Sequence, residues 1–165
     1  MVGWVFPLHL MPHWKQRETL FGEYELALSL PGRWQLRPSD APLRWLYRSA
    51  EKHNENVTLV REEPEGREED AAATLRRLVI RQRRVMELAF GSGAGLAMGE
   101  PEYGVWDGGT LIVYRGEALN VEHRFEVRFY CQPRIVWVVV YDAYRMTEEM
   151  VQIHAEAIFD SVALR

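Results

Sequence analysis

Residues 121–141 read VEHRFEVRFYCQPRIVWVVVY, and this stretch decides the fold class. In residues 121–130, apolar and charged side chains alternate, which is typical of a strand with one buried face. Residues 135–141 are apolar throughout, which is typical of a central strand covered on both faces. Gln132-Pro133-Arg134 between them predicts a turn. The stretch therefore predicts two consecutive antiparallel strands inside a sheet.

The rest of the sequence adds strands and two helices around this pair. Residues 71–90 predict the one long helix, with an inner apolar stripe that includes Val79, Val85, Met86 and Ala89. Thr147 predicts the N-cap of a last helix that runs to about residue 159. Further strands are predicted at residues 21–30, 33–37, 43–49, 57–61, 102–106 and 110–115. Because short turns join consecutive strands, we expect an α+β domain with a single, mainly antiparallel sheet and two helices packed on it.

The chain has 165 residues, which suits a single domain over residues 1–165. We interpret residues 1–20 as an N-terminal extension or edge strand, with a short strand at 4–10 and irregular chain at 11–19. Residues 21–165 form the predicted core. The N-terminus lacks a basic region and a convincing cleavage site, so we expect a cytoplasmic protein.

Bulk charge and hydropathy argue against two classes of partner. The net charge is −4, whereas a dedicated nucleic-acid binder usually carries a basic excess. No stretch approaches the roughly 18 uncharged apolar residues of a membrane span, so no direct membrane insertion is expected. The one cysteine, Cys131, cannot form an internal disulfide.

Two local sequences resemble one known family. They are Tyr24-Glu-Leu-Ala-Leu-Ser-Leu-Pro-Gly-Arg-Trp34 near the start and Ala157-Ile-Phe-Asp-Ser-Val162 at the end. They are similar to sequences of the family that contains the PsbP subunit of the photosynthetic oxygen-evolving complex, the Ran-binding Mog protein and bacterial relatives. The resemblance spans residues 21–164 and implies a PsbP/Mog-like sandwich of helices and sheet.

One bacterial branch of that family consists of the Eag-type chaperones of type VI secretion. The chain resembles them in length and in the abundance of aromatic side chains on its predicted strands. The resemblance implies a non-enzymatic, chaperone-like role in which a hydrophobic partner segment is shielded. Residues 4–19 fit this branch poorly.

The strand aromatics are the candidate partner-binding residues. Aromatic side chains dominate both cores and binding hot spots. If the two helices cover only one sheet face, the other face can present an apolar surface to a protein partner, including a second copy of the chain. The residues concerned are Trp45, Tyr47, Phe125, Phe129, Trp137 and Tyr141.

An arginine cluster on the long helix is the second candidate site. It consists of Arg76, Arg77, Arg81 and Arg84 and suits an anion or an acidic partner. The acidic stretch at residues 62–70 just before it can also neutralise it within the chain. Nucleic-acid binding through this helix is a further alternative, which predicts a steep salt dependence.

No motif predicts a catalytic group, a metal or a cofactor. The glycine-rich residues 91–95 follow a helix, whereas phosphate-binding loops follow a strand. Ser161, His154 and Asp160 lie within eight residues of one another, whereas catalytic triads are assembled from separate elements. We therefore predict a non-enzymatic protein-binding domain. The alternative is a small-molecule-binding or enzymatic α+β domain with an enclosed pocket of convergent titratable groups.

Overall fold

The computed structural model describes residues 17–21, 26–30, 34–37, 44–49, 54–62, 71–133 and 135–164. Within these ranges the helices are α1 (Ala71–Phe90) and α2 (Glu148–Asp160), with a short 3-10 helix at Leu119–Val121. The strands are β1 (Arg17–Phe21), β2 (Leu26–Leu30), β3 (Trp34–Arg37), β4 (Arg44–Ser49), β5 (Glu55–Glu62), β6 (Leu96–Met98), β7 (Glu102–Trp106), β8 (Gly109–Ala118), β9 (His123–Cys131), β10 (Val136–Tyr144) and β11 (Ala163–Leu164). These elements confirm the predicted α+β class.

The larger sheet is antiparallel at each pairing between its described strands. Its strand order is β3-β4-β5-β10-β9-β8-β6, and β7 also pairs with β8. Val138 in β10 lies opposite Phe129 of β9 on one side and Val60 of β5 on the other. The prediction that residues 135–141 form a central strand is therefore confirmed.

Each face of the larger sheet packs against one helix. The α1 face buries Ile112, Tyr114, Phe125, Val127, Phe129, Val136, Val138 and Val140 with Val79 and Met86 of α1. The α2 face buries Val57, Leu59, Tyr130, Trp137, Val139 and Tyr141 with Val151, Ala155, Ile158 and Phe159 of α2. Since successive strand residues point to opposite faces, this arrangement buries each residue of β10 from Val136 to Tyr141.

A smaller sheet completes the α2 face and changes the prediction for the N-terminal part. Its order is β1-β2-β11, and Leu26, Leu28 and Leu30 of β2 join the same core as α2. The prediction of one strand over residues 21–30 and of irregular chain up to residue 19 was wrong, because Thr19 of β1 pairs with Leu28 of β2. Main-chain pairing supports β1 although its sequence shows little apolar alternation.

Two short strands were not predicted, and one predicted strand lies outside the described residues. Strands β6 and β11 were missed, since three and two residues are too few to show a period. The predicted strand at residues 4–10 lies outside the described residues, and the division of the chain into extension and core stays a prediction.

The ends of the helices agree with the prediction better than the predicted buried stripe of α1 does. The Thr147 Oγ1 accepts a hydrogen bond from the Met150 amide at 3.3 Å, which confirms the predicted N-cap of α2. In α1, Val79 and Met86 are buried as predicted, whereas Val85 is 45% exposed and Ala89 is also exposed. The buried stripe is narrower than predicted because only the side of α1 that carries Val79 and Met86 faces the sheet.

Candidate functional site

A groove of about 670 Å³ lies on the α2 face, between α2 and the end of the sheet formed by β6, β8 and β9. One wall comes from α2 and consists of Glu148, Val151, Gln152, Ala155 and Glu156. The sheet supplies Ala97, Met98, Gly99, Arg115, Gly116, Glu117, Arg124, Phe125 and Glu126. The groove therefore combines small and apolar groups with guanidinium and carboxylate groups.

Gly116 keeps the three strands of the groove close together. A Cβ atom at this position would lie 2.3 Å from the Phe125 ring and 2.9 Å from the Ala97 carbonyl oxygen. Both distances are shorter than ordinary van der Waals contact, so a side chain at position 116 would displace β6 or the Phe125 ring. The absence of a side chain at Gly116 is thus required by the packing of this end of the sheet.

Glu126 is a buried carboxylate in the groove, with only 4% of its surface exposed. Its Oε1 lies 2.6 Å from Nη2 of Arg115 and 3.4 Å from Nη2 of Arg128. The Arg128 guanidinium in turn stacks 4.3 Å from the centre of the Phe159 ring of α2. This chain of contacts satisfies a buried charge and connects the sheet to α2.

The second arginine of the groove is also ion-paired, whereas Glu156 of α2 accepts a hydrogen bond from the neutral Gln152 at 3.1 Å. Arg124 donates through Nη1 to the Met146 carbonyl at 3.0 Å, and its Nε lies 3.8 Å from Glu117. Among the described residues, no arginine, lysine or histidine forms an ion pair with Glu148 or Glu156. The α2 wall of the groove is therefore acidic.

A hydrogen-bonded cluster of Glu55, Tyr141 and His154 lies in the core beneath α2. The Tyr141 hydroxyl donates to Glu55 Oε1 at 2.7 Å, and His154 Nδ1 lies 2.5 Å from the same oxygen. Burial and the Glu55 carboxylate both raise the pKa of Tyr141, so the phenol stays protonated at neutral pH. His154 is thus a half-buried, hydrogen-bonded side chain.

Asp142 occupies a polar site on the opposite, α1 face. Its Oδ1 accepts a hydrogen bond from Asn56 Nδ2 at 3.0 Å, and Asn56 accepts one from Arg48 Nε at 2.9 Å. Burial raises the pKa of Asp142 above its usual 3.8, an effect that the Asn56 hydrogen bond and the charges of His123 and Arg48 oppose. Ionising this carboxyl group therefore costs more in the folded chain than in the unfolded chain.

We expect Asp142→Asn to raise the free energy of unfolding at neutral pH, because the amide has no ionisation cost in its buried site. With a folded pKa above the unfolded value, Asp142 destabilises the fold progressively as pH rises from the unfolded to the folded pKa. The neutral amide has no such cost. The difference in the free energy of unfolding between wild type and variant should therefore be smallest at acid pH and should grow as pH rises. Urea unfolding from pH 3 to 7 measures the difference, with the exposed Glu102→Gln as control. Parallel stability curves for wild type and Asp142→Asn would refute the expectation.

The predicted aromatic binding face requires a correction. Phe125 and Phe129 lie in the core of the α1 face, while Trp137 and Tyr141 lie in the core of the α2 face. All four are at most 2% exposed, so they do not form an exposed binding surface. The physical reason is that one helix covers each face, instead of both helices covering the same face. Trp45 and Tyr47 belong to β4, but their side chains are outside the described part, and their binding role stays a prediction.

The arginine cluster is exposed on α1, as its sequence pattern indicated. Arg76, Arg77, Arg81 and Arg84 all have exposed side chains. Arg81 pairs with Glu62 of β5, and Arg84 pairs with Glu87 at 3.0 Å. The structure places this cluster on the opposite side of the sheet from the groove, so the two surfaces are separate.

The surroundings of Cys131 and Ser161 indicate structural roles for both residues. Burial raises the pKa of the Cys131 thiol to about 12, which keeps it protonated and weakly nucleophilic. Ser161 donates through Oγ to the Ile158 carbonyl at 2.6 Å and accepts from the Ser29 amide at 2.8 Å. These bonds connect the end of α2 to β2, which gives Ser161 a structural role.

Sequence reasoning missed the groove. Arg124 and Glu126 occupy polar positions of the predicted strand at residues 121–130, and Arg115 ends the predicted strand at 110–115, but neither pattern indicates that these side chains meet α2. The only available signal was the repeated Glu-x-Arg pattern of residues 122–128, which is common on exposed strands as well. The groove wall formed by α2 could not be predicted, because it depends on how the helix lies on the sheet.

Comparison with known proteins assigns the fold. The solution structure of cyanobacterial PsbP (CyanoP) from Synechocystis sp. PCC 6803 superposes with a TM-score of 0.74 and 13% sequence identity. The alignment covers 100% of this chain and 98% of that chain. The protein therefore has a PsbP-like fold. A crystal structure from Bacteroides thetaiotaomicron VPI-5482 superposes with a TM-score of 0.45 and 9% identity, over 85% of this chain and 45% of the other.

Sequence comparisons and site searches give no further assignment. No protein-family model and no curated protein matches the sequence. Among the described residues, no group of three or more His, Cys, Asp or Glu side chains is arranged to hold a metal ion. Neither of the two described helices is long and apolar enough to span a membrane.

Proposed function

We propose that the protein is a non-enzymatic, cytoplasmic protein-binding accessory domain whose partner occupies the groove between α2 and the sheet. The observation that carries this proposal is the groove itself, with its volume of about 670 Å³ and its mixed lining. Exposed Ala97 offers apolar contact beside the largely buried Val151 and Ala155, while Glu148, Gln152 and Glu156 offer hydrogen-bond acceptors at the rim. Such a mixture of apolar contacts and a polar rim is typical of protein-binding surfaces.

The electrostatics of the groove support binding over catalysis. Arg115 is held by Glu126 and Arg124 by Glu117, so the titratable groups of the sheet wall neutralise each other. A general base or a nucleophile needs a partner that activates it toward a substrate, whereas these groups stabilise the walls. The groove is thus organised as a fixed surface that a partner can contact.

In a finer form of the proposal, the domain acts as a chaperone similar to the Eag type and shields a hydrophobic segment of a partner in type VI secretion. The apolar lining at Ala97, Val151 and Ala155 supports contact with such a segment. The buried strand aromatics are not available for it, so the segment has to bind in the groove. Binding of a synthetic transmembrane-like peptide, weakened by Gln152→Arg at an exposed position of the groove wall, would support this role.

A second candidate function is small-molecule binding. The observation that favours it is the convergence of Arg115 and Glu126 within 2.6 Å in a cavity whose volume falls in the range of roughly 300–1,000 Å³ found for ligand pockets. Native mass spectrometry of the purified protein tests this alternative. A retained small molecule that Gln152→Trp displaces would favour it over a protein partner.

The main proposal is tested by site-specific photocrosslinking in the native cell. A p-benzoylphenylalanine at position 152, in the groove wall, is expected to capture a partner protein. The same group at position 105, where the native side chain is 83% exposed on β7, is the matched control. Capture from position 152 alone supports the proposal. Equal capture from both positions, or capture from neither, contradicts it.

A further inference from the structure

The outer surface of α1 presents two large apolar side chains to solvent. Ile80 is 66% exposed and Leu88 is 68% exposed. Five residues at spacings of one, three and four positions lie on one side of the helix. They are Arg77, Ile80, Arg81, Arg84 and Leu88. We call these five residues the α1 outer face. It lies opposite Val79 and Met86, which pack on the sheet.

Positive charge surrounds these apolar side chains. Four exposed arginines, Arg76, Arg77, Arg81 and Arg84, lie on or beside the α1 outer face; Arg81 pairs with Glu62, Arg84 pairs with Glu87, and Arg77 also has an interaction partner. Exposed ion pairs contribute little free energy, so an incoming carboxylate can replace these intramolecular partners. The acidic side chains of α2 lie across the sheet and do not neutralise this surface.

We propose that the α1 outer face docks an acidic amphipathic helix of a partner protein. Ile80 and Leu88 are eight residues apart, about 12 Å along the helix axis, which matches two apolar side chains two turns apart on a partner helix. Carboxylates flanking that apolar stripe would meet the arginines between and beside the two anchors. The site lies outside the groove, so this interaction is independent of the proposed function.

Two other anionic partners fit the surface less well. A nucleic-acid backbone would use the arginines but would leave Ile80 and Leu88 without apolar contact. An anionic membrane surface requires a wide apolar stripe on the exposed side of a helix, whereas the main apolar stripe of α1 is used against the sheet. The combination of two apolar anchors and flanking arginines therefore favours a helical acidic segment.

The test uses a fluorescent 18-residue peptide with leucines on one helical face and glutamates beside them. A scrambled peptide of equal composition is the control, and fluorescence anisotropy at two salt concentrations measures the affinity. We expect the patterned peptide to bind and to lose about tenfold in affinity when Ile80→Ser and Leu88→Ser are combined. Arg84→Glu should weaken it further and should favour a version of the peptide with lysine in place of glutamate.

Several outcomes would overturn the proposal. Equal binding of the scrambled peptide would show that charge alone drives the interaction. Tighter binding of a DNA duplex or of anionic vesicles, unchanged by Ile80→Ser and Leu88→Ser, would assign the surface to those partners. Self-association of the unliganded protein that Arg84→Glu removes, seen by analytical ultracentrifugation, would assign it to a second copy. All substituted side chains are exposed, so we expect each variant to fold. Circular dichroism of each variant is the control.

Discussion

Replacing Tyr141 with alanine should lower the free energy of unfolding by about 3–5 kcal/mol. Tyr141 is 0% exposed in the middle of the central strand β10, and its ring packs in the core beneath α2. The substitution leaves a cavity at the most enclosed part of the fold and removes the hydroxyl that donates to Glu55. Small domains have a total stability of about 5–15 kcal/mol, so the variant approaches the limit of folding.

A series of variants separates packing from hydrogen bonding at this site. Tyr141→Phe keeps the ring and should cost about 1–2 kcal/mol, because Glu55 loses one of its two donors. Tyr103→Ala is the matched control, since Tyr103 is 61% exposed on β7 and should change stability by less than about 0.5 kcal/mol. Urea unfolding measures all three. A similar loss for Tyr103→Ala and Tyr141→Ala would contradict the assignment of Tyr141 to the core.

Replacing Glu126 with glutamine is expected to cost about 2–3 kcal/mol, the second-largest effect. The amide occupies the same volume but withdraws the negative charge from Arg115 and Arg128. Arg115 can turn to solvent because its side chain is 60% exposed, whereas that of Arg128 is 15% exposed and stays partly buried without its carboxylate partner. The loss therefore falls mainly on the contact between β9 and α2.

Glu117→Gln provides the comparison for Glu126→Gln in the same groove. The Glu117 side chain is 42% exposed and lies 3.8 Å from Arg124, so the change should cost less than about 1 kcal/mol. Both variants are measured by chemical denaturation at the same pH and ionic strength. Equal losses would mean that burial of Glu126 does not strengthen its ion pairs, and the description of the groove as a preorganised surface would fail.

Predictions from the sequence succeeded where neighbouring residues alone decide the structure. The alternation in residues 121–130, the uninterrupted apolar residues 135–141 and the cap at Thr147 specified two strands and a helix start. These signals are local, since side-chain alternation along a strand and helix capping depend on residues within a few positions of one another. The resemblance carried by residues 24–34 and 157–162 extended them to a PsbP-like fold.

Predictions failed where the answer depends on which element covers which face. The sequence pattern is the same whether strand aromatics form a core or a binding face, because both use apolar side chains. This holds for Phe125, Phe129, Trp137 and Tyr141. The same ambiguity affected α1, where Ile80 and Leu88 are exposed while Val79 and Met86 are buried. Exposure is set by the position of each helix on the sheet, and no local pattern encodes that position.

The sequence by itself determined the class of the fold, its central strand pair and its two helices. Only the tertiary structure decided that one helix lies on each face of the sheet. That placement buries the strand aromatics and brings Glu148, Gln152 and Glu156 of α2 beside Arg115 and Glu126. The physical reason is that burial and convergence of charge arise between elements distant in the chain, whereas periodicity reports only which side of its own element a residue occupies.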